Sequence, residues 1–319
     1  ALGTQNFTTA TNVYNTAVGP AAGTLITTGT SNTLIGGLAG DALTDADLNT
    51  AVGYQALSSD TLGSRSTAMG QGSLFSQNFT TATDTYNTAY GFHSGLSVTV
   101  GTINTLIGGL SGDALTTGDS NVAVGYVALS SDTQGDRNVA IGAGALKTQN
   151  FTTATEVYNI AIGYDAGASI TTGINNTVIG GLAADAMTTG FNNTFVGAGV
   201  ASAGVITGGR NVAIGTATMS QLTSGSNNCA MGEDAAAALT TGSNNLFLGH
   251  DTGRSGSPGG QFAASSNTIV LGDENISQCF IQVDWTVSSD ERDKTEFSEL
   301  DLGLDFIKAL EPVTYYWDK

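Results

Sequence analysis

A five-residue hydrophobic pattern recurs along most of the chain: an Asn, a variable residue, a small or apolar residue, a large apolar residue and a Gly. It reads NTAVG at 15–19, NTLIG at 32–36 and NVAIG at 138–142. Copies begin at positions 15, 32, 49, 66, 87, 104, 121, 138, 159, 176, 193, 211, 228, 245 and 267, mostly with a 17-residue period. The copy at 66 starts with Ser, and the copy at 267, NTIVLG, has one additional residue. One short strand in every period predicts the stacked coils of an all-β parallel β-solenoid (β-roll), because single units are too short to bury their own apolar face.

The alternation inside each copy predicts which residues face the core. Successive side chains of a strand point to opposite faces. The residue before Gly is large in the copies, as at Val18, Ile35 and Met69, so we expect it to form an inward ladder together with the residue two before it. The small residue between them, usually Ala, then marks the close approach of a neighbour. The Gly permits the positive φ of a turn, and the Asn is suited to bond the turn and its stacked counterparts.

A longer phrase recurs with a 72-residue period. TQNFTTATNVYNTAVG at 4–19 is nearly repeated by SQNFTTATDTYNTAYG at 76–91 and by TQNFTTATEVYNIAIG at 148–163. Three short periods and one longer period make up this spacing, so NFTTAT carries a four-residue insertion that decorates every fourth coil. We expect the insertion residues Phe7, Phe79 and Phe151 to contact a glycan or a neighbouring subunit.

Composition excludes several classes of protein. Of 319 residues 40% are apolar and only 11% are charged, although the net charge is −18, and this apolar content is too high for a disordered acidic chain. Nine Lys and Arg without a basic cluster argue against nucleic acid as a partner. No apolar run is long enough to insert in a membrane. The two cysteines, Cys229 and Cys279, are too few for a disulfide framework or a zinc site, and we expect neither a metal nor a cofactor.

Three further sets of residues have alternative roles. Asp41, Asp113 and Asp185 stand at equivalent places of the long period, in the phrase G-L-x-x-D-A. They either bind cations or are solvated turn residues, and the lack of calcium-loop spacing favours turns. Thr pairs such as Thr27-Thr28 form either an ice-binding face or turns, and the Gly that follows favours turns. His93 and His250 are isolated in sequence and are not expected to ligate a metal or to act as a base.

The NVAIG-type repeats at 121, 138 and 211, followed by segments such as AGAL and YVAL, resemble the head repeats of trimeric autotransporter adhesins (YadA-like heads). Related repeats occur in phage tail fibres. The resemblance covers about residues 15–272 and implies a β-roll in which three identical chains pack around one axis. The 17-residue units, longer than expected for adhesin heads, and the NFTTAT insertions depart from that family.

The repeats end at Gly272, and the sequence that follows is richer in charged residues. SSDERDK at 288–294, a segment of helical spacing from Leu300 to Leu310, and LEPVTYYW at 310–317 resemble the start of the intramolecular chaperone domain, a serine autopeptidase, of phage tail fibres and tailspikes. The resemblance implies chaperone-assisted trimerisation and one self-cleavage between Ser289 and Asp290, with Ser289 as nucleophile and Lys294 as its base. A desolvated Lys can activate a serine hydroxyl in this way. The alternative is that residues 287–319 cap the open end of the solenoid.

These observations predict a solenoid body over residues 1–272, a connector over 273–286, and the start of a chaperone or capping domain over 287–319. The expected function is that of a phage tail fibre or receptor-binding adhesin. It is expected to be a homotrimer on the virion that contacts other tail or baseplate proteins and presents a rigid surface to a host receptor, expected to be a glycan. A bacterial trimeric surface adhesin is one alternative. A tailspike polysaccharide depolymerase is another, with Glu233-Asp234 as candidate carboxylates; otherwise no action on an external substrate is expected.

Overall fold

The computed structural model describes residues 1–282, and over this range the chain forms β-strands and turns without an α-helix. Its contacts group Ala1–Ser277 into one unit. The strands are β1 Thr16–Val18, β2 Thr33–Ile35, β3 Thr50–Val52, β4 Gly63–Ser64, β5 Thr67–Met69, β6 Thr83–Asp84, β7 Thr88–Tyr90, β8 Thr105–Ile107, β9 Val122–Val124, β10 Gly135–Asp136, β11 Val139–Ile141, β12 Thr155–Glu156, β13 Ile160–Ile162, β14 Thr177–Ile179, β15 Thr194–Val196, β16 Val212–Ile214, β17 Cys229–Met231, β18 Leu246–Leu248 and β19 Ile269–Leu271.

Fifteen of these strands form one parallel sheet in the order β1-β2-β3-β5-β7-β8-β9-β11-β13-β14-β15-β16-β17-β18-β19. Each strand pairs with its equivalent in the next coil, so that Ala17 lies beside Leu34 and Leu34 beside Ala51. The chain is therefore a parallel β-solenoid of about 14 turns, which confirms the predicted fold class. The two remaining sheets, β4-β6 and β10-β12, each join an insertion to the coil before it.

The last coil has a different register from the one its sequence suggested. Leu246 pairs with Ile269 and Leu248 with Leu271. The backbone N–H of Thr268 donates to the Oδ1 of Asn245, which places Thr268 at the position that Asn holds in other coils. The last copy of the pattern therefore begins at Thr268 and not at Asn267. Asn267 lies one position earlier, where its Oδ1 accepts a hydrogen bond from the side-chain amide of Asn244 in the preceding coil.

The predicted inward ladder was assigned to the wrong face of the strands. In the fifteen-stranded sheet the central residue of every strand after β1 is buried, as Leu34, Ala51 and Phe195 are, and Ala17 in the terminal strand β1 is partly buried. The large residue before Gly faces outward: Val18 is 57% exposed and Tyr90 is 56% exposed. The core is therefore built from the small or apolar residue at the centre of each strand, together with turn residues such as Leu57.

A column of buried asparagines explains this orientation. The amide of Asn176 donates to the carbonyl of Gly190 at 2.8 Å, and its Oδ1 accepts the backbone N–H of Asn193 at 3.1 Å. The Asn side chain must point into the coil to reach both groups, and the residue two positions later then points inward as well. Equivalent buried asparagines are Asn32, Asn49, Asn87, Asn104, Asn121, Asn138, Asn159, Asn193, Asn211, Asn228 and Asn245.

The interior of each coil balances large and small residues. Where Leu34 occupies the strand centre, Gly40 stands opposite, and a Cβ on Gly40 would lie 2.8 Å from the Cδ2 of Leu34. Where the larger Phe247 occupies the centre, a Cβ on Gly253 would lie 2.7 Å from its ring. Close-packed interiors do not accept such overlaps, so the residue at the strand centre and the residue at the opposite corner are not exchangeable one at a time.

We expect Asn176→Ala to destabilise the solenoid, because the buried N–H of Asn193 and carbonyl of Gly190 lose their partner. Each buried group left without a hydrogen bond costs roughly 1–3 kcal/mol. Chemical denaturation measures the change in free energy of unfolding. Asn150→Ala is the control, since Asn150 is exposed and accepts only a surface hydroxyl, from Thr133. Equal stability losses in the two variants would contradict a structural role for the asparagine column.

Candidate functional site

The outward face of the fifteen-stranded sheet carries a continuous row of large apolar side chains, which we call the outward ladder. It consists of Val18, Ile35, Val52, Met69, Tyr90, Ile107, Val124, Ile141, Ile162, Ile179, Val196, Ile214, Met231, Leu248 and Leu271. Its members are partly or largely exposed, Ile107 at 37% and Met231 at 44%. Neighbours in the ladder are one strand spacing apart, about 4.8 Å. A contiguous apolar surface of this extent marks an interaction site, and parallel sheets are ordinarily covered on both faces.

A second outward row runs beside the ladder along the first residue of each strand. It is Thr in eight strands and apolar in the other seven, where Cys229 is one of its members. The β-branched residues of this row suit a flat pleated surface. The two rows together make the outer face of the sheet predominantly apolar, without a charged side chain in either row.

A buried aspartate anchors each of two insertions to the coil before it. Asp60 is fully buried and accepts the backbone N–H groups of Gly63 and Phe79, both at 3.0 Å, and the side-chain amide of Gln77 at 2.5 Å. Gln77 in turn accepts from Asn87, a member of the asparagine column. Asp132 repeats this arrangement with Gly135, Phe151 and Gln149. The insertions are therefore bonded to the core of the solenoid.

The structure places the three predicted contact residues differently from one another. Phe79 and Phe151 are only 6% and 8% exposed, so their rings are not available to stack on a ligand. Phe7, in the first insertion, is partly buried. The exposed aromatic residue at these decorated corners is instead a Tyr further along the phrase: Tyr14, Tyr86 and Tyr158 are 75%, 55% and 46% exposed.

An Arg, a carboxylate and this Tyr form a triad at two of the decorated corners. Arg65 pairs with Asp84 at 2.8 Å, and its guanidinium lies 5.9 Å from the centre of the Tyr86 ring. Arg137 pairs with Glu156 and lies 5.5 Å from the Tyr158 ring. The ion pair with Arg137 lowers the pKa of Glu156. Sequence patterns do not reveal these triads, because the Arg belongs to the coil before the insertion.

The aspartates of the G-L-x-x-D-A phrase do not come together within one chain. Asp41, Asp113 and Asp185 lie four coils apart, and each has a buried Oδ1 without a hydrogen-bond partner. Burial raises the pKa of all three carboxyl groups, and backbone hydrogen bonds oppose the rise. The threonine pairs contribute to the bonding between coils, since the hydroxyls of Thr27 and Thr116 donate to backbone carbonyls of the next coil.

Within residues 1–282, one cluster has enough ligand atoms to hold a metal ion: His250, Asp251 and Asp273. The His250 Nδ1 lies 3.4 Å from Asp251 and 3.5 Å from Asp273. Both carboxylates already have other partners, since Arg254 donates to Asp251 at 2.6 Å and Asn275 donates twice to Asp273 at 3.0 Å. These Asn275 hydrogen bonds lower the pKa of Asp273. No sequence motif indicates the cluster, because His250 and Asp273 stand on successive coils.

The other residues considered for catalysis do not form a site within the described part of the chain. Ser289, Asp290 and Lys294 lie outside the described residues, as does the helical segment predicted from Leu300 to Leu310. Of the candidate carboxylate pair, Asp234 is bound by Arg254 at 2.9 Å and Glu233 is exposed. Residues 1–282 contain no helix with the length and apolar character needed to cross a bilayer.

The raised pKa values of the turn aspartates predict a pH-dependent stability. A carboxyl group whose pKa is higher in the folded state stabilises the fold below its ordinary pKa of 3.8, and this contribution is lost as the pH rises through the folded value. We expect Asp113→Asn to raise the melting temperature at pH 7, and the advantage to shrink as the pH falls towards 3.8. Asp45→Asn, at an exposed turn carboxylate, controls for net charge. An Asp113→Asn advantage that is constant with pH would contradict the burial argument.

No model of a protein family matches this chain, and no curated protein matches it.

Proposed function

We propose that this chain is the shaft or head of a homotrimeric attachment fibre, which presents a rigid surface to a glycan on a host cell. The outward ladder is the observation that carries the proposal. Fifteen apolar side chains in register form one face along the solenoid. A surface of that kind requires a partner of matching length and spacing, and a second and third copy of the same solenoid have both.

Closed symmetry is the usual outcome when identical chains associate. Three copies packed around one axis would bury the ladder of every chain against its neighbours. Removing apolar surface from water stabilises an assembly by about 25 cal/mol for each Å² buried. The resemblance of the repeats to adhesin heads supports the number three, and the ladder supplies the physical reason for association.

The surface outside the ladder supports a role in recognition without chemistry. The net charge of −18 disfavours polyanionic partners, and a neutral glycan suits such a surface better. Exposed aromatic side chains outside the ladder, such as Tyr54 and Tyr126, stand on several coils of the solenoid. Since a trimer presents each of these side chains three times, weak contacts can add up through multivalency.

A phage tail fibre is proposed over a bacterial surface adhesin because SSDERDK and the segment after it resemble the chaperone domain of tail fibres. The depolymerase hypothesis would need two carboxyl groups converging on a sugar linkage. The pairing of Asp234 with Arg254 does not favour such a site at Glu233-Asp234.

The proposal is tested by native mass and glycan binding of the full chain. We expect a native mass three times the denatured mass of one chain, which is 32.1 kDa before any cleavage, and binding to glycans on an array. Ile107→Glu with Ile214→Glu places charges in the ladder and should give folded single chains. Because multivalency then disappears, apparent glycan affinity should fall by about a hundredfold.

Val100→Glu with Val205→Glu is the matched control. These residues are 48% and 60% exposed and lie outside the strands, so the trimer should persist in this variant. A wild-type chain that is monomeric, or a trimer that survives both charges in the ladder, would contradict the proposed interface. A trimer that retains no glycan would contradict the proposed attachment role.

Self-cleavage between Ser289 and Asp290 is a separate part of the proposal. The denatured mass of the wild-type chain should correspond to a chain that ends at Ser289. The Ser289 hydroxyl gives its proton to Lys294 and attacks the carbonyl carbon of the Ser289–Asp290 peptide bond, the amine of Asp290 leaves with a proton, and water hydrolyses the ester that remains. Ser289→Ala should remain intact, and Ser288→Ala should be cut like the wild type. An intact wild-type chain would instead support a retained cap over residues 287–319.

A further inference from the structure

Exposed aromatic rings occupy the position just after the strand-ending Gly on alternate coils. These rings, which we call the aromatic stripe, belong to Tyr54, Phe92, Tyr126 and Tyr164, exposed by 52%, 50%, 62% and 62%. They follow strands β3, β7, β9 and β13, which are two steps apart in the sheet. The coils between them carry small or flexible residues at this position: Gln71, Gly109 and Ala143.

Two rings lie across the backbone of the preceding coil. A Cβ on Gly37 would lie 3.4 Å from the Cδ2 of Tyr54, and a Cβ on Gly109 would lie 3.6 Å from the Cδ2 of Tyr126. These distances place the two rings against the backbone of the neighbouring coil. The Phe92 ring is held differently, stacked on His93 with 3.8 Å between the ring centres and 20° between the planes. Such contacts order the rings before any ligand binds, which lowers the entropic cost of binding.

The interval between the rings of the aromatic stripe is close to the repeat distance of an extended polysaccharide. Two strand spacings are about 10 Å, and four rings at this interval extend over about 30 Å. The C–H groups of a pyranose face pack on the electron-rich face of an aromatic ring. In an extended β-1,4-linked polysaccharide each sugar is turned over relative to the one before it. The same face therefore returns on every second sugar, at an interval close to two strand spacings.

We propose that the aromatic stripe binds an extended, neutral β-1,4-linked polysaccharide, with one ring under every second sugar. This inference rests on the proposed attachment function and names the class of glycan. Helical or branched glycans do not repeat one face along a straight line, so they would meet one ring at a time. The small residues between the rings leave room for the intervening sugars, which face away from the surface.

The tyrosines of the decorated corners provide an internal control. Tyr86 is as exposed as the rings of the stripe, at 55%. It belongs to a set that recurs every fourth coil, about 19 Å apart, and Arg65 already lies over its ring at 5.9 Å. A polysaccharide that recognises the two-coil spacing should be insensitive to Tyr86.

Affinity electrophoresis through gels that contain hydroxyethyl cellulose or glycol chitin tests the inference, with an α-linked glucan gel for comparison. We expect the β-linked polymers to retard the wild-type protein and the α-linked polymer to leave it unaffected. Tyr126→Ala should weaken binding about three- to tenfold, the usual worth of one aromatic contact, and Phe92→Ala with Tyr126→Ala should weaken it further. Tyr86→Ala should bind like the wild type.

The outcomes separate this inference from the proposed function. Retardation that is unchanged by the Phe92 and Tyr126 substitutions would overturn the stripe and leave glycan attachment standing. The same conclusion follows if only other glycans are bound on the array. A wild-type protein that binds no glycan at all would overturn the proposed function and the stripe together. Loss of the native trimer in Tyr126→Ala, with glycan binding lost only as a result, would overturn the stripe and assign the rings to the interface between chains.

Discussion

The hydrogen bonds of the buried Asn that stands in most coils are the constraint on which the structure depends. The side chain closes its own coil by donating to a carbonyl near the end of that coil, and joins the next by accepting its backbone N–H, as Asn176 does with Gly190 and Asn193. This double role fixes the register between coils and the direction of every strand side chain. The core, the outward ladder and the corner positions all follow from it.

The 17-residue period was sufficient to predict the fifteen strands of the main sheet and their parallel stacking, because periodicity reports the architecture directly. It did not reveal the short strands β4, β6, β10 and β12. It was not sufficient to predict which face is buried. Large Val and Ile side chains suggested an inward position, yet the Asn two residues before the strand centre decides the orientation. Residue size gave the wrong prediction because the outer face of the sheet is apolar although it is not part of the core of a single chain.

The sites were less predictable for a related reason. Phe79 looked like a protruding contact, but its backbone N–H is bonded to Asp60 in the preceding coil, and its ring is buried with it. The triad of Arg65, Asp84 and Tyr86 and the cluster of His250, Asp251 and Asp273 combine residues from adjacent coils. Which residues of two adjacent coils lie side by side depends on the length of each coil, and the insertions change that length. The sequence of a single coil therefore does not reveal such groups.

The 72-residue period also divides the solenoid into equivalent four-coil blocks. Since β1, β7 and β13 stand at equivalent places in the phrase, the top of one four-coil block matches the top of the next. Loss or gain of a block through unequal recombination within the gene would change the length by about 19 Å and leave no faulty junction. A lineage could therefore adjust how far its surface extends without redesigning a single contact in the core.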